Sequence, residues 1–88
     1  QVAVGEFPFT IGRGDCHLDL SSDASVSRLH AEIRYSRRGL YIIDMLSSNG
    51  TYLDGERIAV ETPVLLDPSQ QTRIRLGNRT QLVLEPSS

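Results

Sequence analysis

Three short polar clusters in this sequence combine arginines, hydroxyl side chains and an amide, and each cluster stands at the end of a predicted strand. The clusters are Gly12-Arg13, Ser27-Arg28-Leu29-His30 and Ser48-Asn49-Gly50-Thr51. A guanidinium fork, O–H donors and N–H donors are the groups that bind a phosphate dianion in proteins. If the fold brings the clusters together, the sequence predicts an anion-binding surface built from loops.

The sequence gives little support for catalysis or for metal binding. Ser27 and His30 are three positions apart, but the sequence has no G-x-S-x-G nucleophile elbow, so we expect no enzyme. Neither zinc nor calcium-loop spacing is present, and adjacent strand residues point to opposite faces. We therefore expect neither a cofactor nor a metal site from Asp15, Cys16, His17, Asp19 and Asp23. The adhesion tripeptide at residues 13–15 is interpreted as a chance occurrence.

Alternating apolar and polar residues predict short strands along the whole chain. The period of two is clearest over residues 29–35 and around Ile74 and Leu76, and no segment has a sustained helical period. Turn residues separate these from further candidate strands at 2–4, 7–12, 17–20, 39–45, 51–53, 56–58, 64–66 and 80–85. About nine or ten short strands at this spacing are typical of an all-β antiparallel sandwich. Loops at one end of a sandwich come together although they are far apart in sequence.

Two turn-forming pairs lie close together in the sequence and have different settings. Asp54-Gly55 has strand-forming residues on both sides, which predicts a two-residue type I′ turn between residues 51–53 and 56–58. Asn49-Gly50 follows a stretch without clean alternation. We therefore expect Asp54-Gly55 to close a hairpin and Asn49-Gly50 to end a loop.

The composition is that of an ordinary globular protein. The chain has 88 residues, 39% hydrophobic and 23% charged, which is enough for one domain. The single cysteine, Cys16, excludes an internal disulfide and favours a cytoplasmic location. No apolar run approaches about 18 residues, and the net charge is −2, so neither a membrane nor nucleic acid is an expected partner. The chain begins at Gln1, and we expect it to be a piece of a longer protein.

Three stretches, "IGRGDCHLDL", "VSRLHAEI" and "LSSNGTYLDG", together resemble the signature of the forkhead-associated (FHA) domain. The resemblance covers roughly residues 5 to 85, and we expect the domain to span residues 1–85, with residues 86–88 starting a linker. It implies an all-β, FHA-type sandwich of about 10–11 short strands. It also implies binding of phosphothreonine peptides by loops at one end, since FHA domains are readers of phosphorylated motifs.

The resemblance also implies roles for individual residues. Arg13 resembles the family's phosphate-binding arginine, and Ser27 resembles the hydroxyl donor to the same phosphate. Ser48 matches a residue that lines the phosphothreonine pocket, and Asn49 matches the amide that bonds the peptide backbone. Arg28 stands at a variable position beside the phosphate, where it adds a second charge or an amide contact. The Asn49-Gly50 pair would then build a binding loop.

A second group of residues is expected to shape the site without contacting the ligand. The resemblance implies that His30 is an architectural residue that ties the binding loops together, and not a general base. By the same resemblance, three neighbouring residues are expected to shape the backbone: Gly12, Gly50 and Thr51.

The function implied by the resemblance is that of a non-catalytic phosphothreonine-reading module in a larger signalling or regulatory protein. A Ser/Thr kinase would act before binding, and the phosphothreonine could stand in a partner or in the module's own chain. The preference for the residue three positions after the phosphothreonine is not readable from residues 21–26 or from the segment after Asn49. The alternative is an FHA-like sandwich that binds a protein partner independently of phosphate.

Overall fold

A computed structural model describes residues 4–85, which form nine strands and no helix. The predicted strand at 2–4, apart from Val4, and the predicted linker at 86–88 lie outside the described residues. Each of the other predicted strands is present, with ends that differ by no more than two residues. The strands are β1 (Phe9–Gly12), β2 (Leu18–Asp19), β3 (Ala31–Ser36), β4 (Gly39–Asp44), β5 (Thr51–Leu53), β6 (Glu56–Arg57), β7 (Val64–Leu65), β8 (Thr72–Leu76) and β9 (Thr80–Leu84).

The strands form two sheets, which confirms the predicted sandwich. One sheet has the order β2-β1-β3-β4-β7, and the other has the order β6-β5-β8-β9. Within residues 4–85, β1 and β2 form the one parallel strand pair, with Ile11 opposite Leu18. The chain doubles back over residues 13–17 so that His17 reaches Thr10, whose Oγ1 accepts a hydrogen bond from His17 N at 3.0 Å. The second strand can then start in the same direction as the first.

The alternating pattern forms the core because each sheet turns one face toward the other. In β8, Thr72, Ile74 and Leu76 are buried, whereas the intervening Arg73 is exposed. Full burial of an Ile or Leu side chain stabilises a fold by about 1.5–3 kcal/mol. The buried apolar cluster contains Phe9, Ile11, Val26, Ala31, Ile33, Ile42, Leu66, Ile74 and Leu76.

The two ends of the sandwich differ in their connections. At the end that we call the turn end, Asp54 and Gly55 have φ angles of 47° and 91°, as a type I′ turn requires, and Leu53 pairs with Glu56. The predicted hairpin is therefore confirmed. At the opposite end, which we call the loop end, β1 and β4 finish and β3 and β5 begin. Within residues 4–85 there is no helix with the length and apolar character needed to cross a membrane.

Candidate functional site

Three loops meet at the loop end and carry the residues that the sequence singled out. They are residues 13–17 after β1, residues 20–30 between β2 and β3, and residues 45–50 between β4 and β5. Arg13 N donates to Ser27 O at 2.9 Å, and Ser48 N donates to Ser27 Oγ at 3.1 Å. The fold thus brings Arg13, Ser27 and Ser48 together through Ser27, although the three stand far apart in the sequence.

The Arg13 side chain is anchored at one nitrogen and open at the others. Its Nε donates to Val26 O at 3.0 Å, and the residue is exposed. In residues 4–85 its two Nη groups have no hydrogen-bond partner. The carbonyl of the neighbouring loop therefore orients the guanidinium while its terminal donors remain available to an anion.

Two hydroxyl groups beside Arg13 are also available. Ser27 Oγ accepts the bond from Ser48 N, so its own proton remains free to be donated. Ser48 is exposed, and its hydroxyl has no partner among the described residues. Arg28 is exposed as well, and it lines a surface depression together with Arg13. These groups give the loop end two cations and two hydroxyl donors.

Asn49 has a role within the protein that the sequence did not predict. Its Nδ2 donates to Ser25 O at 2.8 Å, which fixes the amide plane. Its Oδ1 has no partner in the described part of the chain and can accept a hydrogen bond from a ligand N–H. The amide is therefore partly used inside the protein and partly open to the outside.

Asp23 in turn holds Ser25 in place. The Asp23 carboxylate is buried and accepts from Ser25 N at 2.9 Å, Ser25 Oγ at 2.6 Å and Thr80 Oγ1 at 2.5 Å. These hydrogen bonds, led by the one from the Ser25 side chain, lower the pKa of Asp23 to about 2. An ionised carboxylate thereby fixes the loop to which Asn49 is bonded.

His30 joins two of the three loops from beneath the surface. Its side chain is fully buried, with Nδ1 accepting from Ser27 N at 3.0 Å and Nε2 donating to Gly50 O at 2.8 Å. The two bonds assign the proton to Nε2. Both ring nitrogens are occupied by backbone groups, which is the geometry of an architectural histidine and leaves no nitrogen for a ligand.

Asp44, at the end of β4, is a residue that the sequence analysis missed. It is fully buried and accepts from Ser47 N at 3.0 Å, Ser47 Oγ at 2.5 Å and Thr51 Oγ1 at 2.6 Å. Burial raises the pKa of Asp44, but the hydrogen bonds from Ser47 and Thr51 outweigh it and leave the pKa below its usual value. The sequence signal was an Asp at a strand end followed by a run of hydroxyl residues. The Ser47 and Thr51 hydroxyls donate to this carboxylate and are therefore not available to a ligand.

The two glycines of the site permit close approach of other groups. A Cβ built on Gly12 would lie 2.0 Å from Arg28 O, so β1 can pass this close to the loop only without a side chain. Gly50 has a φ of 89°, and a Cβ there would lie 2.7 Å from Arg57 Nε. Among the described residues, no cluster of three or more His, Cys, Asp or Glu side chains could hold a metal ion.

The sequence matches one protein family and several curated proteins. A family model described as FHA domain matches residues 9–77. The chain is 32% identical to the FHA domain-containing protein FhaB of Mycobacterium tuberculosis over 88 residues, covering 98% of this chain and 52% of that protein. It is 36% identical over 64 residues to a protein phosphatase 1 regulatory inhibitor subunit homolog of Arabidopsis thaliana, covering 72% of this chain and 17% of that protein. The chain thus spans about half of one curated relative and less than a fifth of the other.

Solved structures match the fold at similar identity. An FHA domain of FhaA, solved in complex with an intracellular domain, superimposes with a TM-score of 0.75 at 31% identity, covering 94% of this chain and 86% of that one. The N-terminal FHA domain of Rad53p from S. cerevisiae, solved in complex with a phosphothreonine peptide, gives a TM-score of 0.73 at 26% identity, covering 90% of this chain and 67% of that one.

Proposed function

Because the chain belongs to the FHA domain family, we propose that it binds phosphothreonine-containing protein segments without catalysing a reaction on them. The phosphothreonine is made by a Ser/Thr kinase and stands either in a partner or in the longer protein that carries this domain. We propose that the domain extends over residues 1–85 and acts in the cytoplasm.

The observation that carries the proposal is the arrangement around Ser27. Its backbone carbonyl accepts from Arg13 N, and its hydroxyl accepts from Ser48 N, so one residue fixes two loops. The same bonds leave outward-facing donors: the Arg13 Nη groups, the Ser27 hydroxyl proton and the Ser48 hydroxyl. A phosphate dianion has three acceptor oxygens, which suits such a set of donors.

Each residue then has a defined part in binding. Arg13 and Ser27 donate to phosphate oxygens, Ser48 lines the pocket, and Arg28 adds a second positive charge. Asn49 accepts from a peptide N–H through Oδ1, because its Nδ2 is already bonded to Ser25 O. Gly12, His30, Gly50 and Thr51 hold the loops and do not contact the ligand.

A phosphate is preferred over a carboxylate for reasons of charge and reach. Phosphothreonine carries nearly two negative charges and three acceptor oxygens, whereas aspartate has one charge and two oxygens closer to the backbone. The threonine methyl group adds about 0.8 kcal/mol when it is buried. This corresponds to roughly a fourfold preference over phosphoserine.

Isothermal titration of four peptides tests the proposal. One sequence, selected from a phosphothreonine library by its binding to this chain, is prepared with phosphothreonine, phosphoserine, aspartate or threonine at the central position. We expect affinity to fall in that order, with the last two far below the first two. Aspartate or threonine binding as tightly as phosphothreonine would instead support recognition of a partner independently of phosphate. Equal binding of the two phosphorylated peptides would contradict only the role of the methyl group.

A further inference from the structure

The outer face of the four-stranded sheet carries a row of cations around one aromatic ring. Tyr52 on β5 lies opposite Arg57 on β6 and opposite Arg75 on β8. The Arg75 Cζ is 3.9 Å from the centre of the Tyr52 ring, and the Arg57 Cζ is 5.9 Å from it. Arg73, two residues before Arg75, lies on the same side of β8. We call Tyr52, Arg57, Arg73 and Arg75 the arginine face.

No arginine of the arginine face has a salt bridge within residues 4–85. The one arginine with a salt bridge in that part of the chain is Arg34, which contacts Glu32 at 2.8 Å on the other sheet. Asp54 lies in a surface depression with Arg73 and Arg75, and its Oδ1 accepts a hydrogen bond from the backbone N of Arg73 at 2.9 Å. Arg57 and Arg73 are exposed and Arg75 is half-buried. Three cations therefore lie together on one face of a chain whose net charge is −2.

The Arg75 guanidinium is held by neutral contacts that leave its charge available. Arg75 Nη1 donates to Gly77 O at 3.0 Å, and its Cζ lies over the Tyr52 ring. Stacking of this kind orders an arginine before any ligand arrives, which lowers the entropy lost on binding. An ordered guanidinium fork matches a carboxylate with two parallel hydrogen bonds.

The arginine face adjoins the candidate phosphothreonine site through Gly50. The Arg57 guanidinium lies directly against Gly50, and Gly77 N donates to Gly50 O at 3.0 Å. Gly50 follows Asn49, to which we assign the contact with the peptide backbone. A segment that leaves the phosphothreonine site on this side reaches Arg57 first and then Tyr52 and Arg75.

We propose that the arginine face docks an acidic segment, rich in Asp or Glu, of the same protein whose phosphothreonine occupies the loop end. The inference rests on the proposed function and extends the ligand beyond the phosphorylated residue. An acidic protein segment fits the face better than nucleic acid does, because the face adjoins the site to which we assign a phosphothreonine peptide and therefore lies where that same polypeptide continues.

The test compares matched peptides on matched variants. A phosphothreonine peptide selected from a library is extended on either side by a short run of Glu or, as the neutral match, of Gln. At low salt we expect the better Glu extension to bind about three- to tenfold tighter than its Gln match, the range for a few exposed ion pairs. R57Q and R75Q should reduce this ratio toward one, whereas R38Q, a change of an exposed arginine at the turn end, should keep it. The readout is the ratio of the affinities of the Glu and Gln peptides for the same variant. A loss of affinity that affects both peptides equally therefore cancels.

A second measurement separates this proposal from the proposed function. If no phosphothreonine peptide binds, the unphosphorylated Glu peptide is titrated into the ¹⁵N-labelled chain. Shifts of the amides of Tyr52, Arg57 and Arg75 that are absent in R75Q would then support the arginine face while the proposed function fails. Equal affinity for both extended peptides, an R38Q effect as large as that of R75Q, or no shifts at these amides would overturn the proposal. It would also be overturned by a single-stranded oligonucleotide that binds these amides more tightly than the Glu peptide does.

Discussion

The turn end and the loop end of this sandwich are held together by different means. At the turn end, residues 37–38 and Asp54-Gly55 connect strands that are neighbours in sequence and in the sheet. At the loop end, hydrogen bonds join Ser48 to Ser27 across 21 positions, Asn49 to Ser25 across 24, and Thr80 to Asp23 across 57. The turns of the turn end are specified mainly by local sequence, whereas the loop end depends on groups that meet only in the folded chain.

The difference follows from what each end must do. A two-residue turn needs residues that tolerate its φ angles, and Asp54 adds hydrogen bonds to Arg73 on the neighbouring strand. A binding loop must hold donors in place without a regular strand pairing, so buried groups such as Asp44 and His30 supply the missing hydrogen bonds. A buried polar group that loses its partner costs about 1–3 kcal/mol. We therefore expect substitutions to be more damaging at the loop end than at the turn end.

The largest contrast is expected between two exposed arginines, one at each end. Arg13→Ala should weaken binding of a phosphothreonine peptide by about 2–5 kcal/mol, because it removes one partner of a hydrogen-bonded charge pair. Arg38→Ala, at the turn end, should leave the affinity unchanged. Titration calorimetry gives both affinities, and thermal melting checks that the folds persist. Full affinity in a folded Arg13→Ala variant would remove Arg13 from the phosphate site.

Two glycines provide the next contrast. Gly12→Ala places a Cβ 2.0 Å from Arg28 O, so the backbone must move and we expect a loss of about 3 kcal/mol in the free energy of unfolding. Gly55→Ala meets no atom within 4 Å and only imposes a positive φ on alanine, which costs about 1–2 kcal/mol. Urea unfolding measures both. If the two variants are equally stable, the close approach at Gly12 is not a constraint.

Two aspartates test the buried network itself. Asp44→Asn should lower the free energy of unfolding by about 1.5–3 kcal/mol and weaken phosphopeptide binding at the same time, because charged hydrogen bonds to Ser47 and Thr51 are lost. Asp54→Asn, at the turn end, should cost about 0.5 kcal/mol or less, since Asn tolerates the same turn and keeps an Oδ1 acceptor for Arg73 N. Unfolding and titration of both variants decide the matter. An Asp44→Asn variant with wild-type stability would contradict the role given to the network.

The smallest effect is expected from a change of pH. Such a change distinguishes protonation of the ligand phosphate from protonation of the loop aspartates. The folded-state pKa values of Asp23, about 2, and Asp44 lie below the usual values. Their ionised forms therefore stabilise the fold above about pH 4, and this contribution is lost as pH falls toward 2. The phosphate has a second pKa of about 6, so binding should fall a few-fold between about pH 7.5 and 5.5 while melting stays constant. A melting temperature that falls together with affinity in that range would assign the pH effect to the protein.

Local features of the sequence were sufficient to predict most of the fold. Period-two alternation located the strands, and Asp-Gly between two strands located a type I′ hairpin. The parallel pairing of β2 was not predicted, because it depends on the contact of His17 with Thr10 and not on any property of residues 18–19. Leu46 adopts a φ of 58°, which leucine rarely does, so propensity could not have indicated it.

The outward-facing residues of the candidate site could be predicted from the sequence. The buried residues that hold them in place could not. Arg13, Ser27 and Asn49 stand out because their types suit a phosphate and their clusters follow a family's order. Asp44 and Asp23 do not, since an aspartate at a strand end or in a loop is ordinarily exposed and only the folded structure shows that these are buried. The bond from Asn49 to Ser25 was missed for the same reason, because it joins two loops whose separation is set by the sheets.

The bonds from Asn78 and Thr80 to Ser25 and Asp23 also set the order in which the chain can acquire its function. Contacts of such long sequence separation form late in folding, because a large loop must close before they contribute. During synthesis, the loop that carries Ser25 and Ser27 leaves the ribosome before the residues that fix it in place have been made. A nascent chain can therefore pair β3 with β4 and still lack an ordered binding surface. Under the proposed function, capture of a phosphorylated peptide reports that β8 and β9 have docked, and the ability to bind arises only with these two strands.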